Sequence, residues 1–160
     1  EGTELTPIIS NNQLEKVEGY ARSGIQAGAE AVHGGKRVDR KGYFMEATVL
    51  NNVTPDMTVA KEEIFGPVLS VLEYQDTEEA IHLANDTDYG LGGGVFTKDL
   101  NKAAWTASKL QSGQVYVNKW FTGSHATPFG GYKQSGYSRE KGQQALNAYL
   151  QIKNVGISLS

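Results

Sequence analysis

Apolar and small residues recur every three or four positions near the start of the chain. This spacing predicts one amphipathic helix from about Gln13 to Ala29. Asn12 and Glu15 are placed as its N-cap and capping-box partner, and Gly34-Gly35 is expected to stop it. The positions on its inward side are Leu14, Val17, Ala21, Gly24, Ile25 and Gly28. The two glycines on that side predict a close approach to a sheet or another helix.

From Val68 onward the pattern alternates between strands and helices. Residues 68–72 form a nearly continuous apolar run, typical of a strand buried on both faces of a parallel sheet. A helix follows, with Asp76 and Glu79 as its capping box. A second strand, a second helix and a third strand are predicted at residues 92–97, 101–110 and 114–118. This order predicts right-handed βαβ crossovers, so the fold class is α/β, with an open, mostly parallel sheet and helices on both faces.

The remaining segments are less regular. Residues 43–53 are rich in aromatic and β-branched residues and favour an extended segment. An aromatic loop follows Asn118, and a last helix is predicted on Ala145, Leu146, Tyr149 and Leu150. In the tail, Val155, Ile157 and Leu159 alternate with polar or small residues, which predicts a terminal strand with one apolar face and no hairpin partner nearby.

Composition narrows the possible functions. The net charge of -3 gives no basic footprint for nucleic acid. No apolar run is long enough to span a membrane, and no signal peptide is visible at the start, so the sequence predicts a cytoplasmic protein without membrane or nucleic-acid partners. The count of zero cysteines excludes disulfides and any cysteine nucleophile supplied by this chain. His33, His82 and His125 lack metal-ligand spacing, so no metal site is predicted.

The segment KEEIFGPV, at residues 61–68, is the densest candidate for chemistry. Pro67 fixes φ and Gly66 permits close approach, so Glu63 and Phe65 are expected to sit on a rigid turn. A carboxylate held this way can accept two hydrogen bonds from a sugar diol, and an aromatic ring can pack on a flat heterocycle. The alternative interpretation is a solvated turn whose phenylalanine fills the core.

Two glycine-rich segments are further candidates. The run of glycines at 92–94 does not match a phosphate-binding loop, because it leads into a strand and not into a helix. The glycines are instead expected to let the strand lie under a neighbouring element. In the segment 127–136, Phe129 could join Trp120 and Phe121 as apolar walls of a substrate pocket; the alternative is a well-packed loop with Phe129 in the core.

Four motifs taken together resemble one family. KEEIFGPV at 61–68, YGLGGGVFTKDLNKA at 89–103, GQVYVN at 113–118 and PFGGYKQSG at 128–136 resemble, in this order and at these separations, the C-terminal part of the NAD(P)-dependent aldehyde dehydrogenases. The resemblance covers essentially the whole chain. It implies that residues 1–150 are the C-terminal portion of the catalytic domain and residues 151–160 an oligomerisation strand.

The resemblance also implies roles for individual residues. Glu63 matches the glutamate that binds the nicotinamide-ribose hydroxyls of NAD or NADP, and Phe65 matches the phenylalanine that positions the nicotinamide ring. Phe129 matches an aromatic residue beside the aldehyde tunnel. The stretch 119–127, with Trp120 and Phe121, falls where the family lines its substrate entrance. A homo-oligomer, a dimer or a tetramer, is the implied assembly.

One departure from the family limits these implications. The family's cysteine nucleophile has no counterpart in this chain, and no catalytic residue is therefore assigned. We expect the 160 residues to be a C-terminal portion of a longer enzyme and to be inactive alone. The alternative is a stand-alone structural module that self-associates through its apolar terminal strand.

Overall fold

The computed structural model describes residues 5–159, in which helices alternate with short strands. The elements in chain order are α1 (Asn11–Gln26), β1 (Glu30–His33), β2 (Thr48–Asn51), α2 (Thr58–Lys61), β3 (Val68–Ser70), α3 (Thr77–Asn85), β4 (Tyr89–Gly90), β5 (Gly92–Val95), α4 (Leu100–Lys109), β6 (Gln114–Val117), β7 (Tyr132–Lys133) and a 3-10 helix (Gln143–Tyr149). The predicted α/β class is confirmed. The chain divides into two compact units, one ending at Asp86 and the other beginning at Thr87.

The first unit is a three-stranded sheet covered by α1. Its strand order is β1-β2-β3, with β1 antiparallel and β3 parallel to β2. Leu14 and Val17 of α1 and Leu50 of β2 are fully buried and form the centre of the core. A methyl group at Gly24 would lie 3.1 Å from Cδ1 of Leu50, so the close approach predicted for this glycine is confirmed.

Both ends of α1 differ from the prediction. Ser10, and not Asn12, is the N-cap, because its hydroxyl accepts a hydrogen bond of 3.2 Å from the Gln13 amide. The helix ends at Gln26, three residues before the predicted end at Ala29, and Gly28, not Gly34-Gly35, follows its C-cap Ala27 and closes it. Gly28 has a φ of +112°, and its amide and that of Ala29 donate back into the last turn of the helix. A glycine that adopts this conformation closes a helix without the steric penalty of a side chain.

Strand β3 is also more open than predicted. The side chain of Leu69 is 60% exposed, so within this chain β3 is not buried on both faces. The helix that follows, α3, begins as expected. Its N-cap Asp76 accepts a hydrogen bond of 2.9 Å from the amide of Glu79.

The second unit contains a parallel pair, β5 and β6, joined by α4, as the sequence predicts. A separate antiparallel pair is formed by β4 and β7. The last predicted helix is a 3-10 helix with no buried residue. Residues 151–159 lie outside every helix and strand and are exposed. None of the helices in residues 5–159 has the length and apolar character needed to cross a bilayer.

Candidate functional site

The acid–aromatic turn, residues 62–67, is held against helix α1 by contacts with Val17, Gln13 and Tyr20. A methyl group at Gly66 would lie 2.5 Å from a γ-carbon of Val17, so only glycine fits there without movement. The side-chain amide of Gln13 donates to the carbonyl oxygens of Ile64 and Phe65, each at 3.3 Å. The close approach predicted for Gly66 is therefore present, and the first turns of α1 position the backbone beneath Phe65.

The turn carries two consecutive carboxylates with different surroundings. The hydroxyl of Tyr20 donates to Oε2 of Glu62 at 2.6 Å, which ties this carboxylate to α1. The carboxylate of Glu63 is exposed and makes no hydrogen bond within residues 5–159. Its two oxygens are therefore available to accept hydrogen bonds from a ligand. Sequence reasoning missed Gln13 and Tyr20, because helical spacing alone does not show which turn a helix face will meet.

Phe65 does not fill the core. Its ring is 71% exposed, and the residue that enters the core from this turn is its neighbour Ile64. The backbone φ of Phe65 is +53°, in the left-handed region that bulky residues rarely adopt. Phe65 and Glu63 line one open cavity of about 360 Å³, and Phe65 also borders a second one of about 580 Å³ beside residues 5–9. The turn thus presents an acid and a flat apolar ring to the same open space.

The glycines of β5 make room for their neighbours. A methyl group at Gly94 would lie 3.3 Å from Cζ3 of Trp120, and one at Gly92 would lie 3.8 Å from the same indole. On the other face, a methyl group at Gly93 would lie 3.1 Å from Oγ of Ser112. The prediction that these glycines let the strand lie under another element is confirmed.

Trp120 and Phe121 both contact the ring of Tyr116. Both pack on Tyr116, with centroid distances of 5.3 Å for Trp120 and 6.1 Å for Phe121. They remain 59% and 66% exposed. The side chain of Asn118 fixes the start of this segment, because it accepts from the amide of Thr97 and donates to the carbonyl of the same residue, both at 2.8 Å. Trp120 and Phe121 therefore form an exposed aromatic surface that follows the fixed residue Asn118.

Phe129 lies apart from this pair in the second unit and makes no ring contact with Trp120 or Phe121 in the described part of the chain. Its backbone amide and carbonyl are both paired with Glu140 at 2.7 Å. The ammonium of Lys141 lies 5.2 Å from the centre of its ring. The half-buried ring is therefore presented by a fixed backbone.

The histidines do not form a metal site in the described part of the chain. Within residues 5–159, no three His, Asp or Glu side chains are grouped in a way that could hold a metal ion.

The motif segments and their geometry agree with a match to one protein family. The family model described as "Aldehyde dehydrogenase family" matches residues 1–155. The chain belongs to the aldehyde dehydrogenase family. The implied family is thereby confirmed over nearly the full length of the chain.

Individual aldehyde dehydrogenases resemble the chain closely. It is 48% identical over 159 residues to the mitochondrial aldehyde dehydrogenase family 2 member B4 of Arabidopsis thaliana, covering 99% of this chain and 30% of the relative. An NAD-dependent aldehyde dehydrogenase from Sinorhizobium meliloti has a TM-score of 0.94 and 41% identity, covering 98% of this chain and 31% of the other. Indole-3-acetaldehyde dehydrogenase, solved with NAD+, has a TM-score of 0.93 and 42% identity, covering 99% and 32%. The chain thus spans about 30% of the length of these aldehyde dehydrogenases.

Proposed function

We propose that this chain is the part of an aldehyde dehydrogenase that contacts the nicotinamide end of NAD or NADP and lines the aldehyde entrance. The observation that carries the proposal is the acid–aromatic turn, in which Glu63 keeps a free carboxylate and Phe65 an exposed ring. Family membership and the NAD+ bound by indole-3-acetaldehyde dehydrogenase support it. The parent enzyme would oxidise an aldehyde to a carboxylic acid.

The residues of the turn fit the cofactor chemically. A carboxylate with two unpaired oxygens matches the two neighbouring hydroxyls of a ribose, and hydrogen bonds to a charged acceptor are the stronger kind. The Phe65 ring offers an apolar face to a flat heterocycle. When bound, NAD(P)+ supplies the hydride acceptor for the oxidation.

The aldehyde side is assigned to the second unit. Trp120, Phe121 and Phe129 supply apolar walls that favour an organic substrate and exclude water from it. The chain contains no cysteine, so the thiolate attack on the aldehyde is not assigned to any of its residues. We therefore expect the 160-residue chain to be inactive by itself.

Two activity measurements test this proposal. The purified chain is incubated with NAD+ or NADP+ and several aldehydes, and reduced cofactor is followed by absorbance. We expect no reduction above the blank; reduction would contradict the claim of inactivity. The protein at its natural length is expected to reduce the cofactor with at least one aldehyde, and failure with every aldehyde would overturn the proposed function.

A variant pair tests the role of Glu63 in the protein at its natural length. Glu63→Gln is expected to raise the Kd for NAD+ about tenfold, because a charged acceptor is lost from the ribose contact. The control is Glu73→Gln, since Glu73 is exposed and has no side-chain hydrogen bond within residues 5–159. Equal affinities in the two variants would contradict the assignment of Glu63.

The tail supports a second part of the proposal, a homo-oligomer. The tail, which lies outside every helix and strand, exposes the apolar side chains of Ile152, Val155, Ile157 and Leu159. Such a segment can add as a strand to the sheet edge of another subunit. Deleting residues 155–160 is expected to shift the assembly to a smaller size on a sizing column. An unchanged elution volume would count against this role and also against the alternative of a self-associating module without catalysis.

The sequence predicts a cytoplasmic location for this chain. The Arabidopsis thaliana relative is described as mitochondrial. A cytoplasmic location of this chain therefore stays a sequence-based expectation.

A further inference from the structure

The side chain of Gln114 connects a strand to the loop that presents Phe129. Gln114 is the first residue of β6, where its backbone amide donates to the carbonyl of Leu91 at 3.0 Å. Its half-buried side-chain amide leaves the strand and donates to the carbonyl of Pro128 at 2.9 Å. The same nitrogen also donates to the carbonyl of Gly113 at 2.8 Å. Gln114 therefore fixes the carbonyl that immediately precedes Phe129.

The other side of Phe129 is fastened independently. The Arg139 guanidinium donates to the carbonyl of Gly131 at 2.8 Å. A side chain at Gly113 would collide with the carbonyl of Gly130, so the loop lies directly on the chain beside β6. The Glu140 pairing described above holds the amide and the carbonyl of Phe129 itself.

The Gln114 contact ties the peptide plane that precedes Phe129 to strand β6. The carbonyl of Pro128 and the amide of Phe129 share one peptide plane, so Gln114 and Glu140 hold that plane from its two sides. The direction of the plane sets the orientation of the Cα–Cβ bond of Phe129. An aromatic side chain has only two rotatable bonds, and a rotated peptide plane moves the whole ring. A small change at Pro128 therefore becomes a larger displacement at the ring edge.

We propose that Gln114 is a positioning residue that holds the Phe129 ring and thereby sets which aldehydes the entrance accepts. This inference rests on the proposed function, because the entrance has meaning only in an aldehyde-oxidising enzyme. Gln114 itself does not contact the reacting atoms. Its effect should fall on substrates large enough to reach the ring and leave small aldehydes unaffected.

Three variants in the protein at its natural length separate this role from a general effect on folding. Gln114→Met keeps the length and approximate volume of the side chain but removes the donor. Gln114→Glu keeps the length and turns an acceptor toward two carbonyl oxygens. The control is Gln144→Met, because Gln144 is exposed and has no side-chain hydrogen bond within residues 5–159. Steady-state kinetics with acetaldehyde and with a bulky aromatic aldehyde are compared with amide hydrogen exchange at Phe129 and Glu140.

We expect Gln114→Met to change KM for the aromatic aldehyde about three- to tenfold, the size of one lost hydrogen bond, with kcat within about twofold. KM for acetaldehyde should stay unchanged, and exchange at Phe129 should accelerate. Gln114→Glu should act in the same direction and more strongly.

The outcomes distinguish two failures. If the wild-type protein oxidises no aldehyde, the proposed function fails and the role of Gln114 fails with it. If the wild type is active and both Gln114 variants match Gln144→Met in KM and exchange, only the Gln114 assignment is overturned. Equal loss of kcat for small and large aldehydes would also overturn it, because that pattern indicates a structural role alone.

Discussion

Replacing Gly66 by alanine tests whether the acid–aromatic turn depends on its close contact with α1. The added methyl group would lie 2.5 Å and 2.6 Å from the two γ-carbons of Val17 and 3.1 Å from its β-carbon. Relaxed carbon–carbon contacts are about 3.5–4.0 Å, so the overlap is about 1 Å. Val17 is fully buried and has no open space in which to rotate. The turn or the helix must therefore move.

The expected cost follows from the packing. Inserting a methyl group into a well-packed core destabilises by about 1–3 kcal/mol. Val17→Ala alone removes two methyl groups and should cost about 2 kcal/mol through lost burial and a small cavity. In the double variant the new methyl group enters the space that Val17 left. The two costs should therefore fall short of additivity by about 1 kcal/mol or more.

The assay must report on the first unit alone. Trp105 and Trp120 both lie in the second unit, so tryptophan emission serves as an internal control that should not change. Native-state hydrogen exchange at the amides of Leu14 and Ala21 reports the opening of α1. The matched control is Gly19→Ala. Gly19 lies in the same helix with no atom within 4 Å of the added methyl group, so this variant should be neutral or stabilising by up to about 1 kcal/mol.

The result that would refute the reasoning is specific. If Gly66→Ala leaves the opening free energy within about 0.5 kcal/mol of the wild type, the turn is not fixed by this contact. Additive costs in the double variant would show that Val17 is not the group that the new methyl meets. Either result would also remove the structural support for the position of Phe65.

Two further predictions concern other contacts. The hydrogen bond from Arg37, at 2.7 Å, lowers the pKa of the Glu18 carboxyl. The pKa of Glu18 is lower in the folded state than in the unfolded state. The ion pair therefore contributes its full stabilisation at pH values above the ordinary carboxyl pKa, and this contribution is lost as the pH falls through the lowered pKa. Glu18→Gln should flatten the acid limb of the plot of unfolding free energy against pH, measured by urea titration. Gly94→Ala should displace the Trp120 indole and shift its fluorescence emission, measured in a Trp105→Phe background. The control Gly92→Ala should leave the emission unchanged, since its methyl group would reach the indole only at an ordinary contact distance. Equal emission spectra for the two variants would contradict this packing.

Local sequence chemistry was enough for several elements. The parallel β5–α4–β6 unit follows from hydrophobic periodicity, and its observed bounds agree with the predicted ones to within two residues. The start of α3 follows from Asp76, whose side chain can accept a hydrogen bond from the helix amides. These features depend on neighbours in the sequence.

The ends of α1 show where local chemistry is ambiguous. Ser10 and Asn12 are both competent N-caps, and Gly28 and Gly34 can both close a helix. The two N-cap candidates lie two positions apart and the two glycines six positions apart. Packing of the α1 face on β2 and α2 selects one register and so one pair of ends.

In the candidate site, too, some features follow from the sequence and others only from the tertiary structure. The composition of the turn singled out Glu63 and Phe65 as candidates and the motif resemblance gave them roles, but nothing local distinguishes the carboxylate of Glu63 from that of Glu62. The tertiary structure makes the distinction, because Tyr20, 42 positions earlier, binds Glu62 and leaves Glu63 exposed. The contact of Gln114 with Pro128 is likewise invisible in the sequence, since it joins residues 14 positions apart, across the rest of β6 and an irregular loop.

By itself, then, the sequence determined the fold class, the family and the residue types that carry the proposed chemistry. The tertiary structure decided which of those side chains are occupied by internal contacts and which remain available. The physical reason is that periodicity and capping act over a few residues, whereas the partner of a polar side chain is chosen by the packing of distant segments.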